Sequence, residues 1–328
     1  MGKLFQGYLH PQKISKKVRK MKLSKIINRA KKYLTNPAYR YFIDSRRGKY
    51  NSLEDAEYLK LRFRYAMSQE LDLEAPKSFN EKLQWLKLHD RKPIYTDMVD
   101  KYAAKQYVAD LIGEEHIIPT LGIWDSFDEI DFDKLPDQFV LKCTHDSGGL
   151  VICRDKSKLD IRTAKKKLEK SLKRDFYLLG REWPYKDVPR RIIAEKYMGS
   201  LDSSLTDYKF YCFNGKPLFL YVSSGLEKHS TARISYVTLD WKHAPYERLD
   251  YLPHEELPPK PSKLDEMIAY AELLSKNTAF LRVDLYQIED EIYFSELTFF
   301  PGSGFTKFRN PEHDLDVGNL IKLPDNNI

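Results

Sequence analysis

Near its carboxyl end the chain reads FLRVDLYQIEDEIYFSELTF over residues 280–299, and the fold can be predicted outward from this stretch. Apolar and polar residues alternate on both sides of an acidic centre, a pattern typical of a β-hairpin. If residues 289–291 form the loop, Asp284 lies opposite Glu296 on one face of the sheet. Two opposed carboxylates repel each other unless a cation lies between them. This register indicates a magnesium site, because Mg²⁺ is bound by one or two carboxylates where phosphates supply further ligands.

The same register puts Arg282 opposite Thr298, so that one face of the hairpin carries all four polar side chains. A two-residue loop is the alternative. It shifts the register by one residue and puts the two acids on opposite faces as ordinary surface charges. The spacing alone leaves both registers open.

A second motif follows Lys142, where Ser147, Gly148 and Gly149 form part of a loop between two apolar runs. The backbone N–H groups of a glycine-containing loop can fold over phosphates, and a lysine adds a point charge to the same oxygens. A Gly-Gly pair between strands is more commonly a simple turn. The loop is not a Walker motif, because no Gly-Lys-Ser/Thr follows it and no helix begins there.

Two further carboxylates lie in and after an apolar strand predicted at 191–198. Glu195 lies near the end of that strand, and Asp202 comes seven residues later. Carboxylates in these places suit contacts to adenine and to ribose hydroxyls. A strand end with surface charges is the simpler interpretation.

In this order the motifs resemble the TupA-like ATP-grasp family, which is linked to teichuronopeptide and surface-polysaccharide biosynthesis. The matching segments are Asp100-Lys101, 118–124, 139–142 with 147–149, 194–197, 207–215, Arg282-Val-Asp284 and 296–304. Each segment is a weak signal alone, whereas the ordered set, which runs from about residue 75 to 310, is specific. The resemblance implies an α+β ATP-grasp fold, in which two subdomains grip ATP.

The resemblance also implies roles for individual residues. The nucleotide would be bound by Lys101 and Lys142 at the phosphates, Ser147, Gly148 and Gly149 in the lid loop, Glu195, Lys196, Tyr197 and Met198 at adenine, and Asp202 at ribose. The metal ligands would be Asp284, Glu296 and Thr298, and the catalytic residues would be Arg282 and Lys209. Thr298 stands where asparagine is usual, and a neutral hydroxyl is a weaker Mg²⁺ ligand, so a second metal is less certain.

The implied reaction activates a carboxylate with ATP and Mg²⁺. The carboxylate attacks the γ-phosphate to give an acyl phosphate, and an amine then displaces phosphate to leave an amide. We expect the acid to be a uronic acid of a bacterial surface polysaccharide, on a free or lipid-linked glycan. A glycosyltransferase or a phosphotransferase of the same pathway is the alternative, and a binding module with a degenerate site is the non-enzymatic one.

The net charge of +7 is concentrated at the amino end of the 328 residues. Twelve Lys and Arg residues precede the first acidic residue, Asp44, and the rest of the chain holds 43 basic against 48 acidic residues. Residues 1–34 are expected to bind the anionic inner leaflet of a membrane, each basic residue contributing about 1 kcal/mol near the surface. Nucleic acid is disfavoured, because aromatic side chains that could stack on bases are sparse there. Binding of an acidic polysaccharide and packing on the enzyme's own acidic surface are the remaining alternatives.

Composition excludes two broad classes. Hydrophobic residues make up 42% of the chain, too many for a disordered polymer. No apolar run approaches the ~18 residues needed to span a bilayer.

The three cysteines form no CxxC pair and lack a histidine at zinc-ligand spacing, so we expect free thiols in a reducing cytoplasm. The predicted location is cytoplasmic, peripheral on the cytoplasmic face of the inner membrane.

The order of elements predicts four regions: a basic helical arm at 1–50, a helical region at 51–135, a lid subdomain at 136–200 and a carboxyl-terminal subdomain with the metal site at 201–328. Apolar periodicity predicts helices at 12–34, 52–71, 78–90, 99–112, 161–176 and 263–277, with strands at 116–124, 139–142, 150–152, 191–198, 207–213, 217–223 and 231–239. Ser52 with Asp55 and Ser78 with Glu81 have the spacing of capping boxes.

Overall fold

The structure is a computed structural model that describes residues 24, 27–199, 206–224 and 232–325. The chain divides into two compact units, Met1–Gln69 and Glu70–Ile328. The division into four regions at residues 50, 135 and 200 stays a prediction. Most of the helix predicted at 12–34 lies outside the described residues.

In the first unit, residues 27–35 are helical and are followed by α1 (Pro37–Arg46) and α2 (Asp55–Met67). The Tyr33 hydroxyl donates to Asp44 at 2.7 Å, so the first acidic residue of the chain ties the two leading helical segments together. The capping box predicted at Ser52 is wrong. The residue that precedes α2 is Glu54, whose side chain makes no capping hydrogen bond.

The second unit opens with α3 (Phe79–His89), α4 (Ile94–Val99) and α5 (Ala103–Ile112). The capping box predicted at Ser78 is confirmed, because Ser78 Oγ accepts from the Glu81 N–H and Glu81 accepts from the Ser78 N–H. The single helix predicted at 99–112 is wrong in its start. The chain leaves helical geometry at Asp100, which has an extended ψ of 116°.

A four-stranded antiparallel sheet follows, with strand order β1-β4-β2-β3. Its strands are β1 (Thr120–Trp124), β2 (Phe139–Cys143), β3 (Leu150–Cys153) and β4 (Ile192–Lys196). The helix α6 (Ile161–Leu172) covers one face, where Leu168 packs with Leu141 and Cys143. Because side chains alternate along a strand, Lys142 points to the opposite face.

A five-stranded antiparallel sheet completes the unit, with strand order β7-β6-β5-β8-β9. Its strands are β5 (Asp207–Phe213), β6 (Lys216–Ser224), β7 (Arg233–Thr238), β8 (Phe280–Ile288) and β9 (Glu291–Thr298). The other helices are α7 (Tyr177–Gly180), α8 (Leu264–Ser275) and α9 (Glu312–Asn319), with 3-10 turns at Glu114–His116, Phe127–Glu129, Phe132–Lys134, Lys156–Lys158, Trp183–Tyr185 and Pro301–Gly304. The apolar side of α8 lies in the core beneath this sheet.

The β8–β9 hairpin differs from the prediction in its loop and agrees with it at the polar face. The loop is the two-residue one, since Ile288 pairs with Glu291 and Glu289 has a left-handed φ of 56°. The register then shifts beyond Leu285, where Ser295 forms an extra residue in β9. A β-bulge of this kind moves every later residue by one position. Asp284 therefore faces Glu296, and Arg282 faces Thr298, as predicted.

None of the described helices has the length and apolarity needed to cross a bilayer. Cys143, Cys153 and Cys212 are free, as predicted, and all three are buried. Burial raises the pKa of the Cys143 and Cys212 thiols to about 12, so both stay protonated and unreactive at neutral pH.

Candidate active site

A cavity of about 220 Å³ is lined by residues of both sheets and of the segment that begins α5. It brings together eight of the predicted site residues: Lys101, Lys142, Ser147, Gly148, Gly149, Glu195, Lys209 and Glu296. Arg282, Asp284 and Thr298 lie beside this cavity, through contacts with Lys209 and Glu296. Segments more than 180 residues apart in sequence thus meet in one polar pocket.

Of the residues predicted at adenine, Glu195 lines this pocket, whereas the three that follow it do not. Lys196 and Tyr197 line a separate open groove of about 1620 Å³ that runs over β3. Met198 lines neither this groove nor the polar pocket. Asp202 lies outside the described residues.

Glu195 is bound by two lysines. Its Oε2 lies 2.5 Å from Lys142 Nζ, and its Oε1 lies 2.7 Å from Lys105 Nζ. Burial opposes ionisation of this carboxyl, but the two ammonium groups outweigh burial and lower its pKa. Burial lowers the pKa of Lys105, and Glu195 opposes that change. The three side chains form one ion-paired cluster at the pocket wall.

Lys101 connects the start of α5 to the loop after β2. Its backbone N–H donates to the Thr144 carbonyl at 3.2 Å, and its Nζ donates to the Asp146 carbonyl at 2.5 Å. The neighbouring Asp100 pairs with Arg191 at 3.0 Å. Because Arg191 directly precedes β4, this pair holds the turn against the start of that strand. Burial lowers the pKa of Lys101. No carboxylate pairs directly with Lys101 among the described residues, so its charge faces the pocket without a direct counter-ion.

The two glycines of the loop serve different purposes. Gly148 has φ 121° with open space around it, a conformation that favours glycine. Gly149 has no such φ, but a Cβ there would lie 2.5 Å from Ser171 Oγ and 2.8 Å from Cys143 Sγ. The base of the loop is therefore tightly packed, while Ser147 and Gly148 are exposed at the pocket.

His145 lies in the loop between β2 and β3, where it could either contact phosphate or have a structural role. It is buried, and its Nε2 lies 3.2 Å from the carbonyl oxygens of Ser171 and Arg174. Burial lowers its pKa, so the neutral form is favoured. It does not line the pocket, which favours the structural role.

On the five-stranded sheet, the central carboxylate is Asp284, whose side chain is 0% exposed. Arg282 binds it in a bidentate manner, with Nε–Oδ1 and Nη2–Oδ2 distances of 2.6 and 2.7 Å. Lys209 Nζ contacts Asp284 and also Asp207. Burial opposes the charge on Lys209, but both carboxylates outweigh it and raise its pKa. Two cations are therefore held rigidly by this network.

Glu296 completes the network at the pocket surface, where its side chain is 44% exposed. Arg282 Nη2 reaches both Glu296 Oε1 at 2.7 Å and Thr298 Oγ1 at 3.0 Å. Enclosure by protein opposes ionisation of Glu296, but Arg282, Lys209 and Lys101 lower its pKa to about 2. It is thus a stable anion at neutral pH.

Among the described residues, no three acidic, histidine or cysteine side chains converge as a preformed metal centre. The donor chemistry nevertheless fits Mg²⁺, which takes one or two carboxylates together with phosphate oxygens. Glu296 opens on the pocket, and Asp207 Oδ1 is buried without a hydrogen-bond partner in the described part of the chain. Both oxygens of Asp284 are engaged by Arg282 and Lys209, so its metal role stays a prediction.

Sequence reasoning missed three charged residues that line the pocket, Lys105, Asp146 and Asp207. Lys105 comes four residues after Lys101, about one helical turn, so both would lie on one side of the helix predicted at 99–112. Asp207 comes two residues before Lys209, so both point to one face of β5. The spacing in the sequence could therefore have identified both Lys105 and Asp207. Burial raises the pKa of Asp207 to about 6; Lys209 opposes that change and Asp284 adds to it.

The family model of TupA-like ATP-grasp proteins matches residues 81–322, nearly three quarters of the chain. The chain belongs to the TupA-like ATP-grasp family. The α+β ATP-grasp fold predicted from the sequence is confirmed, with the matched region covering both sheets and the pocket between their residues. No curated protein sequence matches the chain.

Several solved ligases are similar to this TupA-like protein at low identity. D-alanine–D-alanine ligase from Bacillus anthracis in complex with ATP is 16% identical, with a TM-score of 0.36, over 68% of this chain and 57% of that one. The Helicobacter pylori D-alanine–D-alanine ligase is 13% identical, with a TM-score of 0.40, over 76% and 68%. The D-cycloserine synthetase DcsG is 17% identical, with a TM-score of 0.37, over 70% and 72%. The chain thus spans a little over half the length of the Bacillus anthracis ligase.

Proposed function

We propose that this TupA-like protein is an ATP- and Mg²⁺-dependent carboxylate–amine ligase that forms ADP. The observation that carries the proposal is the charge distribution around one pocket. Lys101, Lys105 and Lys142 line the pocket together with the glycine loop that follows β2. Glu296 and Asp207 line it from the five-stranded sheet, beside Lys209. Such a pocket suits a phosphate chain on its basic side and a divalent cation on its acidic side.

The residues would divide the work by position. Lys101, Lys142 and the loop 147–149 would bind the phosphates, and Glu195 would contact adenine once ATP is bound. Glu296, with Asp284 and Asp207 nearby, would hold Mg²⁺, which neutralises charge on the phosphates when bound. Arg282 and Lys209 would stabilise negative charge at the transferring phosphoryl group and at the later tetrahedral centre.

The reaction would proceed in two displacements. A substrate carboxylate oxygen attacks the γ-phosphorus, and the bond to ADP breaks to leave an acyl phosphate. An amine nitrogen then attacks the acyl carbon, phosphate leaves, and the amine gives up a proton to form the amide. This chemistry needs positioning and charge stabilisation more than a protein nucleophile.

We propose a uronic acid of a surface polysaccharide as the carboxylate substrate, either free or lipid-linked. The family's link to polysaccharide synthesis and the cationic side chains at the pocket support an anionic acceptor. We also propose that residues 1–34 attach the enzyme to the anionic cytoplasmic leaflet. Deleting residues 1–34 should release the protein from anionic vesicles and spare ATP binding, and vesicle binding that survives the deletion would contradict the arm's role.

Product analysis tests the reaction. The purified protein is incubated with ATP, Mg²⁺, uronic acids and amines, singly and in pairs. A ligase releases ADP and free phosphate only when both an acid and an amine are present. Phosphate retained on the acceptor would instead identify a phosphotransferase, and UDP release from a sugar nucleotide without ATP would identify a glycosyltransferase.

A further inference from the structure

The cluster of Lys105, Glu195 and Lys142 contains a conflict with the proposed binding of ATP. Lys142 Nζ is held by Glu195 at 2.5 Å, yet Lys142 is the side chain expected at the phosphates. An ammonium group that stays against the carboxylate shares its charge with that carboxylate and binds the phosphate chain less strongly. Full binding of the phosphates by Lys142 therefore requires Lys142 to leave Glu195, at least in part, when the nucleotide binds.

Leaving Glu195 without a counter-ion would be unfavourable. The Glu195 side chain is only 7% exposed, and an uncompensated buried carboxylate is strongly destabilising. Lys105 removes this penalty, because it pairs with the other carboxylate oxygen, Oε1, at 2.7 Å. The two lysines use different oxygens, so Lys142 can depart while Lys105 stays.

The two lysines also differ in how firmly they are held. Lys105 is 11% exposed, and its Nζ donates in addition to the Ile118 carbonyl at 2.5 Å. Lys142 is 25% exposed at the cavity. It pairs with Glu195 alone among the described residues. The less buried lysine, with fewer partners, is the one suited to move.

We propose that Lys105 is the permanent counter-ion of Glu195, and that it frees Lys142 to bind the phosphate chain of ATP. The proposal rests on the proposed function, since it takes Lys142 as a phosphate ligand. Lys105 is a positioning residue in this arrangement. It acts through Glu195 on Lys142 and does not itself touch the nucleotide.

The test measures dissociation constants for ATP and for adenosine by calorimetry or by competition with a fluorescent nucleotide. The ratio of the two constants isolates the phosphate contacts from contacts to the base and ribose. Lys105→Met should lower the preference for ATP over adenosine about tenfold, because Glu195 then retains Lys142. In an E195Q background the same substitution should change the ratio less than about twofold, because no carboxylate retains Lys142.

An equal loss in both backgrounds would overturn the proposal, because it would mean that Lys105 binds phosphate directly. No loss in either background would overturn it as well. Lys105→Arg keeps the positive charge and should recover most of the ratio lost in Lys105→Met, and it covers the case in which the methionine variant fails to fold. Lys134→Met, an exposed lysine on the 3-10 turn before β2, is the matched control. A wild-type protein that binds neither ATP nor adenosine would contradict the proposed function itself.

Discussion

The pocket has two walls, one from the four-stranded sheet with the segment before and at the start of α5, and one from the five-stranded sheet. The two walls differ in the ratio of positive to negative side chains. On the four-stranded side, the carboxylate of Glu195 lies between Lys142 and Lys105. Lys101 adds a third ammonium group nearby, and Asp146 adds a second carboxylate. On the five-stranded side, the three carboxylates of Asp207, Asp284 and Glu296 surround only two cations, Arg282 and Lys209. One wall therefore has an excess of positive charge, and the other has an excess of negative charge.

The difference shows why a nucleotide–metal complex suits this pocket better than either component alone. Phosphates are attracted to the lysine wall and repelled by the carboxylate wall, unless a divalent cation lies between them. Each wall also partly neutralises itself through ion pairs. Internal pairing keeps an empty pocket stable, and it holds the charged groups in place before the ligand arrives.

The largest expected effect is on stability and comes from Asp284 on the carboxylate wall. Asp284→Asn leaves Arg282 and Lys209 without their shared carboxylate in a buried site. We expect the free energy of unfolding to fall by about 3–5 kcal/mol, measured by urea denaturation. Asp240→Asn breaks the exposed Lys242–Asp240 pair and should leave the free energy of unfolding nearly unchanged. Equal stability losses in the two variants would show that the buried network contributes no more to stability than an exposed ion pair does.

The next largest effect is on catalysis and comes from Glu296. Its side chain opens on the pocket, so Glu296→Gln should preserve the fold while removing the proposed metal carboxylate. We expect ADP formation to fall by about 100- to 1000-fold, the cost of removing one preorganised electrostatic group. Mn²⁺ binding in the presence of ATP, followed by electron paramagnetic resonance, should weaken in parallel.

The matched control for this variant is Glu291→Gln, an exposed glutamate at the start of the same strand. It should leave both turnover and Mn²⁺ binding near the wild-type values. If Glu296→Gln retains near wild-type turnover, the metal assignment on the hairpin is wrong.

A smaller effect, on ATP affinity with and without Mg²⁺, distinguishes the roles of the two walls. Lys101→Met removes a positive charge that has no direct carboxylate partner in the described structure, so it should weaken ATP binding even without Mg²⁺. We expect a loss of about 10- to 100-fold in affinity, typical of a charged hydrogen bond. Glu296→Gln should instead weaken ATP binding only when Mg²⁺ is present. Calorimetry with and without Mg²⁺ distinguishes these results, and identical metal dependence in both variants would contradict the division of the walls.

The carboxylate wall also shows what could be predicted from sequence. The facing of Asp284 and Glu296 is correct although the predicted three-residue loop is wrong. A two-residue loop and a bulge at Ser295 together produce the same offset at the polar face. A bulge depends on local strand pairing and twist, which alternation of apolar residues does not encode. The prediction therefore succeeded at the site and failed at the turn.

On the lysine wall, the order of motifs located Lys101, Lys142 and Glu195, but not their contacts. Lys105 could have been found from its spacing of one helical turn from Lys101. The pairing of Lys142 with Glu195 could not, because it depends on the antiparallel register of β2 against β4. Spacing along one element is readable in a sequence, whereas register between distant strands requires the fold.

The smallest effect concerns pH and uses two carboxylates of the same wall. Burial, with Asp284, raises the pKa of Asp207 to about 6, above the 3.8 of an ordinary aspartate. The folded protein therefore binds this proton more tightly than the unfolded chain, and stability should fall as pH rises from about 4 to about 6. For Glu296, whose pKa is lowered to about 2, the sign is reversed, and stability is lost as pH falls below about 4.5.

The Asp207→Asn variant should melt a few degrees higher than the wild type at pH 7, and this difference in melting temperature should shrink towards pH 4. The exposed Asp133→Asn is the control, and a difference for Asp207→Asn that stays constant across this range would show that Asp207 titrates as an ordinary aspartate.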